Sequence, residues 1–311
     1  MYIRPWFLPN NHLETIFPSL FRRVQIGHYD RERIGTPDDD FLDLDWLRQK
    51  STRLIILSHG LEGNSQRAYV KGMVRAFYSE GFDALAWNYR GCTEQMNQTL
   101  RFYHSGATDD LHTVVSHALT RGYEQIVLLG FSLGGNLTLK YAGERTLHPK
   151  IKGVITFSVP LDLYTSSVQI SRPSNWIYSR RFLKSLKKKI RAKAAIMRGL
   201  SAKGLGEISS LEEFDDRYTG PLHGFEGARE YYRQCSAINY LGHIGVPTLI
   251  VNAQNDPFLS QECFPVDVNN SNIVFETPRQ GGHVGFSQFT RNGLYWSEQR
   301  ALEFARSLIK W

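Results

Sequence analysis

The stretch "IVLLGFSLGGNLTLKYAG", residues 126–143, constrains the fold more than any other part of the chain. It sets a short apolar run against a turn and then continues at helical spacing. Ile126 to Leu129 reads as a buried strand, while Leu137, Tyr141 and Ala142 put apolar groups on one face of a following helix. Ser132 sits at the turn between them, flanked by Gly130 and Gly134. A strand that passes into a helix within so few residues needs positions without side chains where the two elements cross, and the two glycines supply them. A hydroxyl held at such a corner projects outward. The free N–H groups that open the helix point toward it, with that of Leu133 nearest.

The alternation extends along the chain from about residue 53. "RLIILSHG" reads as a strand, "QRAYVKGMVRAFYSEG" as a helix, "FDALAWNYRG" as a strand and "ATDDLHTVVSHALTRG" as a helix. Beyond the serine turn come strands in "IKGVITFSVP", "VPTLIVNAQNDPF" and "SNIVFETPRQGGHVGF", and a closing helix in "YWSEQRALEFARSLIKW". Repeated strand-helix alternation predicts an α/β fold, a mostly parallel twisted sheet with helices on both faces. Residues 161–235 interrupt the rhythm with no strand pattern. Residues 1–160 and 236–311 are therefore expected to form the core, and 161–235 an inserted helical cap.

A chain of 311 residues with 41% hydrophobic and 13% aromatic content can bury a sizeable core. It contains no apolar run long enough to span a membrane, and "MYIRPWFLPNN" at its start, with Arg4, Pro5 and Pro9, does not read as a signal peptide, so a cytoplasmic protein is expected. Cys92, Cys235 and Cys263 are widely separated with no CxxC pair, which suits a reducing compartment and argues against a disulfide framework or structural zinc. With no HExxH or other compact ligand cluster, the chemistry is expected from organic side chains, without metal or cofactor.

The net charge of +7 is concentrated in "RRFLKSLKKKIRAKAAIMR", residues 180–198, which holds nine cations and no acid; subtracting those nine leaves the rest of the chain at −2. Phe182, Leu183, Leu186, Ile190, Ala194 and Met197 recur there at helical spacing, making a basic amphipathic helix. Its expected place is a solvated face packed on the body, with an anionic lipid surface as the sharper partner. Nucleic acid is not expected, since no aromatic-interleaved recognition motif accompanies the charge.

In open parallel sheets, functional groups gather in the loops beyond the carboxyl ends of the strands. A serine needs a neighbouring base, itself oriented by a carboxylate, to become a nucleophile at neutral pH. His283, in the glycine-rich loop after the last strand, is the expected base. Asp256, directly after "TLIVN", is the preferred acid because it gives the chain order Ser, acid, His. Asp162 is the second candidate, with ordering the start of the cap as its other role. In "HGLEGN", residues 59–64, the N–H of Leu61 is placed to join that of Leu133 in an oxyanion hole, and His59 is expected to shape the loop rather than act as base.

These residues resemble an α/β-hydrolase and, more narrowly, the YheT-like esterases, akin to eukaryotic ABHD1/ABHD3-type lipid hydrolases. The narrower resemblance rests on "NHLETIFPSLFRR", "HGLEGN", "NYRGC", "FYHSGATDDL" and "FDDRYTGPLHGF", and spans nearly the whole chain. It implies Ser132 as nucleophile, Asp256 as acid and His283 as base. Glu14 stands where the resemblance leads one to expect Gln. The expectation is a serine carboxylic-ester hydrolase for esters with a hydrophobic acyl chain, walled by Trp176, Tyr178, Phe182 and Met197 of the cap. An acyltransferase with the same triad and an idle hydrolase fold binding anionic membranes are the alternatives.

Overall fold

The computed structural model describes residues 2–266 and 268–309, so Lys310 and Trp311 of the expected closing helix, with Met1 and Asp267, lie outside the described residues. The strands are β1 (Asp30–Gly35), β2 (Phe41–Leu47), β3 (Arg53–Ser58), β4 (Asp83–Asn88), β5 (Gln125–Phe131), β6 (Ile151–Phe157), β7 (Thr248–Val251) and β8 (Ile273–Glu276). They form one sheet in the order β1-β2-β4-β3-β5-β6-β7-β8, antiparallel where β2 meets β1 and β4 and parallel from β4 onward.

The strands of the parallel part read as continuous apolar runs because both their faces are covered. Leu54, Ile56, Ile126 and Leu128 join one apolar layer with α3 (Thr108–Leu119) and α4 (Leu133–Glu144), through Leu111, Val115, Leu137 and Tyr141. The intervening Ile55, Leu57, Val127 and Leu129 point the other way, onto Val70, Met73 and Phe77 of α2 (Ala68–Ser79) and Ala301, Leu302 and Ala305 of α10 (Trp296–Leu308). The two-residue period of a strand thus builds both layers at once. The antiparallel pair at the front edge was not legible as strands, since β1 is "DRERIG" and mostly exposed. It is fastened by charge instead. Arg31 and Arg33 lie directly opposite Asp45 and Asp43, each with its Nε 2.7 Å from a carboxylate oxygen.

Residues 161–235 are helical, with no strand among the described residues. They comprise α5 (Leu163–Ile170), α6 (Trp176–Ile196), the turn α7 (Leu211–Phe214), a π-helical turn at Asp215–Thr219, α8 (Gly220–Leu222) and α9 (Ala228–Cys235). Leu183, Ile190, Leu205, Phe214 and Tyr218 make an apolar cluster of their own, which also takes in Phe102 and Phe258. Helix α6 packs on the body with much of its basic face solvated, and departs from the expectation at three lysines. Lys187, Lys189 and Lys193 turn inward, and Lys193 is fully buried, its Nζ donating to the carbonyls of Thr99 (2.7 Å) and Arg101 (2.8 Å). The loop before α3 leaves these carbonyls without strand partners, and an ammonium with three donors satisfies them together. Burial pushes the Lys193 ammonium down to about 7. No helix among the described residues is long and apolar enough to cross a membrane.

Arg90, just past β4, is the largest buried charge of the core. Its guanidinium donates to Asp110 (2.7 Å), Asp38 (2.8 Å) and Asp40 (3.0 Å), which ties the loop after β1 to the start of α3. Removing one member of such a group leaves the others buried and uncompensated. The Arg90→Met variant is expected to lose about 3–5 kcal/mol of stability, measured as a fall in the denaturant midpoint.

Candidate active site

Ser132 occupies a backbone conformation that side-chain-bearing residues rarely take, with φ 53° and ψ −122°. Its N–H donates to the carbonyl of Phe157 on the neighbouring strand at 2.9 Å, and its carbonyl accepts from Asn136 N–H at 3.0 Å, so the strained corner is fixed from both sides. The flanking glycines are steric necessities. A Cβ on Gly134 would stand 2.4 Å from the carbonyl oxygens of both Ser58 and His59, and one on Gly130 would stand 2.3 Å from the carbonyl oxygen of Gly134. Helix α4 therefore lies hard against the ends of β3 and β5 and pushes the Ser132 hydroxyl clear of the sheet.

The structure brings Ser132, His283 and Asp256 together. His283 Nε2 lies 2.9 Å from Ser132 Oγ, and Nδ1 lies 2.8 Å and 3.0 Å from the two carboxylate oxygens of Asp256. A carboxylate only accepts, so Nδ1 carries the proton and Nε2 is left to receive one from the serine hydroxyl. Asp256 is buried and is held by the N–H of Phe258, which donates to Oδ1 at 2.9 Å, while the Phe258 ring lies against the imidazole with centroids 4.1 Å apart. Asp162 is engaged elsewhere. It caps α5, accepting from Thr165 N–H at 2.8 Å.

A part of the site that the sequence reading did not assign comes from α1 (Asn11–Phe21). The N–H of His283 donates to Thr15 Oγ1 at 2.9 Å. Glu14, fully buried, accepts from Asn255 Nδ2 at 2.6 Å, and Asn255 Oδ1 accepts in turn from Gly282 N–H at 3.1 Å. Burial pushes the Glu14 carboxyl above its usual range. The helix approaches so closely that a Cβ on Gly285 would lie 2.4 Å from the Glu14 carbonyl oxygen, and Gly282 takes a φ of 59°. The glycines around His283 thus serve a contact with the start of the chain. The signal for it lay in "NHLETIF".

The loop after β3 is equally fixed. His59 Nδ1 donates to the Gly60 carbonyl at 2.8 Å, Nε2 accepts from Tyr89 N–H at 3.3 Å, and burial pushes the imidazole down to about 3, so it is neutral and structural. Gly60 N–H donates to Tyr69 Oη at 3.0 Å. Among the described residues no acceptor takes the N–H of Leu61 or of Leu133, and both residues line the same cavity as Ser132. Glu62 holds the far side. Tyr103 Oη donates to it at 2.7 Å and Lys189 of α6 at 2.7 Å, with Ser185 also bonded to it, so the inserted helix is latched to this loop.

Residues 53–263 match the family described as having the alpha/beta hydrolase fold. The chain belongs to the α/β-hydrolases. This hydrolase is 33% identical over 288 residues to a putative esterase, YheT, of Escherichia coli, covering 89% of this chain and 84% of that one. It is 30% identical over 284 residues to a monoacylglycerol lipase of Saccharomyces cerevisiae, covering 87% of this chain and 62% of the relative, and 28% identical over 273 residues to a human phospholipase, ABHD3, at 83% and 66%. Among solved structures, an esterase of Pyrococcus furiosus superposes with a TM-score of 0.60 at 16% identity, covering 92% of this chain and 97% of that one, a likeness of fold.

Ser132 and His283 of the hydrolase open into a cavity of about 830 Å³, counting its mouth. Loops at the sheet ends and the start of α4 form one wall, with Leu61, Leu259 and Leu133, and residues 161–235 form the other, with Leu163, Ile170, Phe182, Leu186 and Leu211. Of the four cap residues expected to wall it, Phe182 does so. Trp176 points outward at 54% exposure, Tyr178 packs on Phe258, and Met197 lies at the end of α6 away from the lining. The helical period places Phe182 and Leu186 inward, and Trp176 precedes the packed stretch.

No group of three or more His, Cys, Asp or Glu among the described residues is arranged to hold a metal ion. The cavity does contain one acid. Asp215 opens the π-helical turn, and burial pushes its carboxyl up to about 6, only partly offset by hydrogen bonds from Thr219 and Tyr232. A carboxyl raised in the folded state adds stability while protonated, and that contribution is lost as the pH rises from its unfolded value through about 6. The Asp215→Asn variant is accordingly expected to melt a few degrees above the parent at pH 8, and the advantage should vanish at pH 4; thermal melts at the two pH values measure it.

Proposed function

We propose that this α/β-hydrolase is a serine carboxylic-ester hydrolase that takes esters with a hydrophobic acyl chain through an acyl-enzyme. The observation that carries the reading is the hydrogen-bonded series from Asp256 through His283 to Ser132, opening into a mainly apolar cavity. The names of the relatives, an esterase and a lipase among them, agree with it. In this scheme Nε2 of His283 takes the proton from Ser132 Oγ as the oxygen bonds to the ester carbonyl carbon. The negative charge that develops on the carbonyl oxygen is met by the N–H groups of Leu61 and Leu133, and Asp256 stabilises the imidazolium. The tetrahedral adduct collapses, the alcohol leaves with the proton from Nε2, and a water molecule then gives its proton to Nε2 and attacks the acyl carbon. Release of the acid returns the proton to Ser132.

Residues 161–235 act in this reading as a cap over the acyl chain, and the Glu62 contacts of Lys189 and Ser185 fix the cap to the oxyanion loop. A fluorophosphonate probe should modify Ser132 of the native protein, found by peptide mass mapping. Ser132→Ala and His283→Ala should each abolish labelling and lower kcat for 4-nitrophenyl acyl esters by about 10³-fold or more. Labelling at another residue, or full turnover by Ser132→Ala, would overturn the assignment. Acyl transfer to an added alcohol in preference to water would move the reading to an acyltransferase.

The inward turn of three lysines leaves Arg180, Arg181, Lys184, Lys188 and Arg191 outward on α6, beside the exposed Trp176 and Ile177. Cations flanking exposed aromatic and aliphatic side chains suit the headgroup level of an anionic lipid surface, and we place any membrane contact on this face. Co-sedimentation at low salt should favour anionic over neutral vesicles, and the Arg180→Glu, Arg181→Glu, Lys184→Glu triple variant should lose the preference. Equal binding to both vesicle types would rule the contact out.

A further inference from the structure

Among the described residues, Asp215 is the one acidic residue lining the cavity that holds Ser132 and His283. Its two oxygens are each engaged once, Oδ1 by the hydroxyl of Thr219 at 2.5 Å and Oδ2 by that of Tyr232 at 2.7 Å. The charge that acts on it, that of Glu212, has the same sign, and no cation offsets it. Two carboxylate oxygens offer about four acceptor positions between them. The two hydroxyls take one on each oxygen, which leaves one on each for a group in the cavity.

Among the described residues no third side-chain hydrogen bond to Asp215 is formed. Leu163, Ile170 and Leu211 are apolar, the Ser167 hydroxyl donates to the Tyr164 carbonyl at 2.7 Å, and Ser166 is paired with Cys263 Sγ at 3.2 Å. A leucine or methionine of similar size would line an acyl cavity without the desolvation cost that raises this carboxyl, so packing does not account for an acid here. Local backbone geometry is specialised at the same point. Asp215 and Thr219 are the first and last residues of a π-helical turn, an element that adds a residue to a helical turn and re-aims the side chains around it, and that recurs at functional sites.

We infer that Asp215 forms a subsite for a hydroxyl group of the ester, so that the cavity selects substrates carrying an O–H over their alkyl counterparts. A hydroxyl suits the site better than an ammonium, whose three donors would face a wall offering a single open carboxylate. The O–H reaches Asp215 from either of two places, the acyl chain or the alcohol portion, and the recognition chemistry is the same for both. The inference takes from the proposed function the idea that the cavity receives an ester, and its test separates the two.

Binding is measured by calorimetry in the Ser132→Ala protein for two pairs of compounds, methyl octanoate against methyl 8-hydroxyoctanoate and propyl octanoate against 1-octanoylglycerol. The hydroxylated member of at least one pair should bind about tenfold more tightly or better, as a charge-assisted hydrogen bond allows, and the pair that responds identifies the source of the hydroxyl. Asp215→Leu in the same background should remove the preference while leaving affinity for the alkyl ester equal or higher. Asp215→Asn, which keeps an acceptor, should retain part of it. Equal binding within both pairs, or a preference that survives Asp215→Leu, would overturn the subsite. Failure of the parent to turn over any of the four esters bears on the serine mechanism and leaves the binding comparison intact.

Discussion

Contact between α4 and the ends of β3 and β5, closer than any side chain permits, is the constraint on which the site rests. It leaves no room for a Cβ at Gly130 or Gly134 and forces Ser132 into a left-handed corner. The strain is held by the sheet, since the Ser132 N–H is engaged by β6 and the helix that follows is packed into an apolar layer. The same approach brings the loop of Leu61 alongside Ser132, because the carbonyls of Ser58 and His59 are what α4 rests against. Ser132 and the free N–H groups of Leu61 and Leu133, the nucleophile and oxyanion donors of the proposed function, are thus positioned by one packing event.

The partners of Ser132 arrive by a different route. Asp256 and His283 stand beyond β7 and β8, strands of only four residues each, and so short a scaffold does not fix a loop by itself. Helix α1 completes it. Thr15 holds the His283 backbone, and the Glu14 to Asn255 to Gly282 series ties the loop of His283 and the loop of Asp256 to each other. Residues 15, 62, 132, 256 and 283 come from five distant parts of the chain. The site consequently exists only when the whole sheet and its first helix are in place.

The parallel strands and their helices were legible because their apolar residues repeat with the periods of two and 3.6 that burial on a sheet imposes. The Ser132 corner was legible because its glycines have no other local use. Elements held by charge were not. β1 shows no apolar alternation, and its pairing depends on arginines set opposite aspartates on β2. In α6 a lysine at a core position reads as solvent-facing, although Lys193 is buried by three carbonyls from a loop far away in sequence. The roles of Thr15 and Lys189 likewise depend on partners that no local spacing reveals. The serine, base and acid that were picked from order and position in the chain are brought within hydrogen-bond distance of one another, while three of the four expected cap contacts fall outside the cavity.

Helix α6 has two faces with unrelated duties. Lys189 reaches Glu62 within the loop after β3, while Arg180, Arg181 and Lys184 on the same helix look outward. A helix of 21 residues is about 31 Å long at 1.5 Å per residue, so a single rod carries both the charged outer face and the lysine that holds Glu62 in the loop beside Ser132. Substitution of the outward cations leaves the contact with Glu62 in place, whereas loss of Lys189 removes an ion pair that fastens the helix to that loop. The inner face of the helix therefore answers to fixed partners within the fold, and its outer face answers only to what surrounds the molecule.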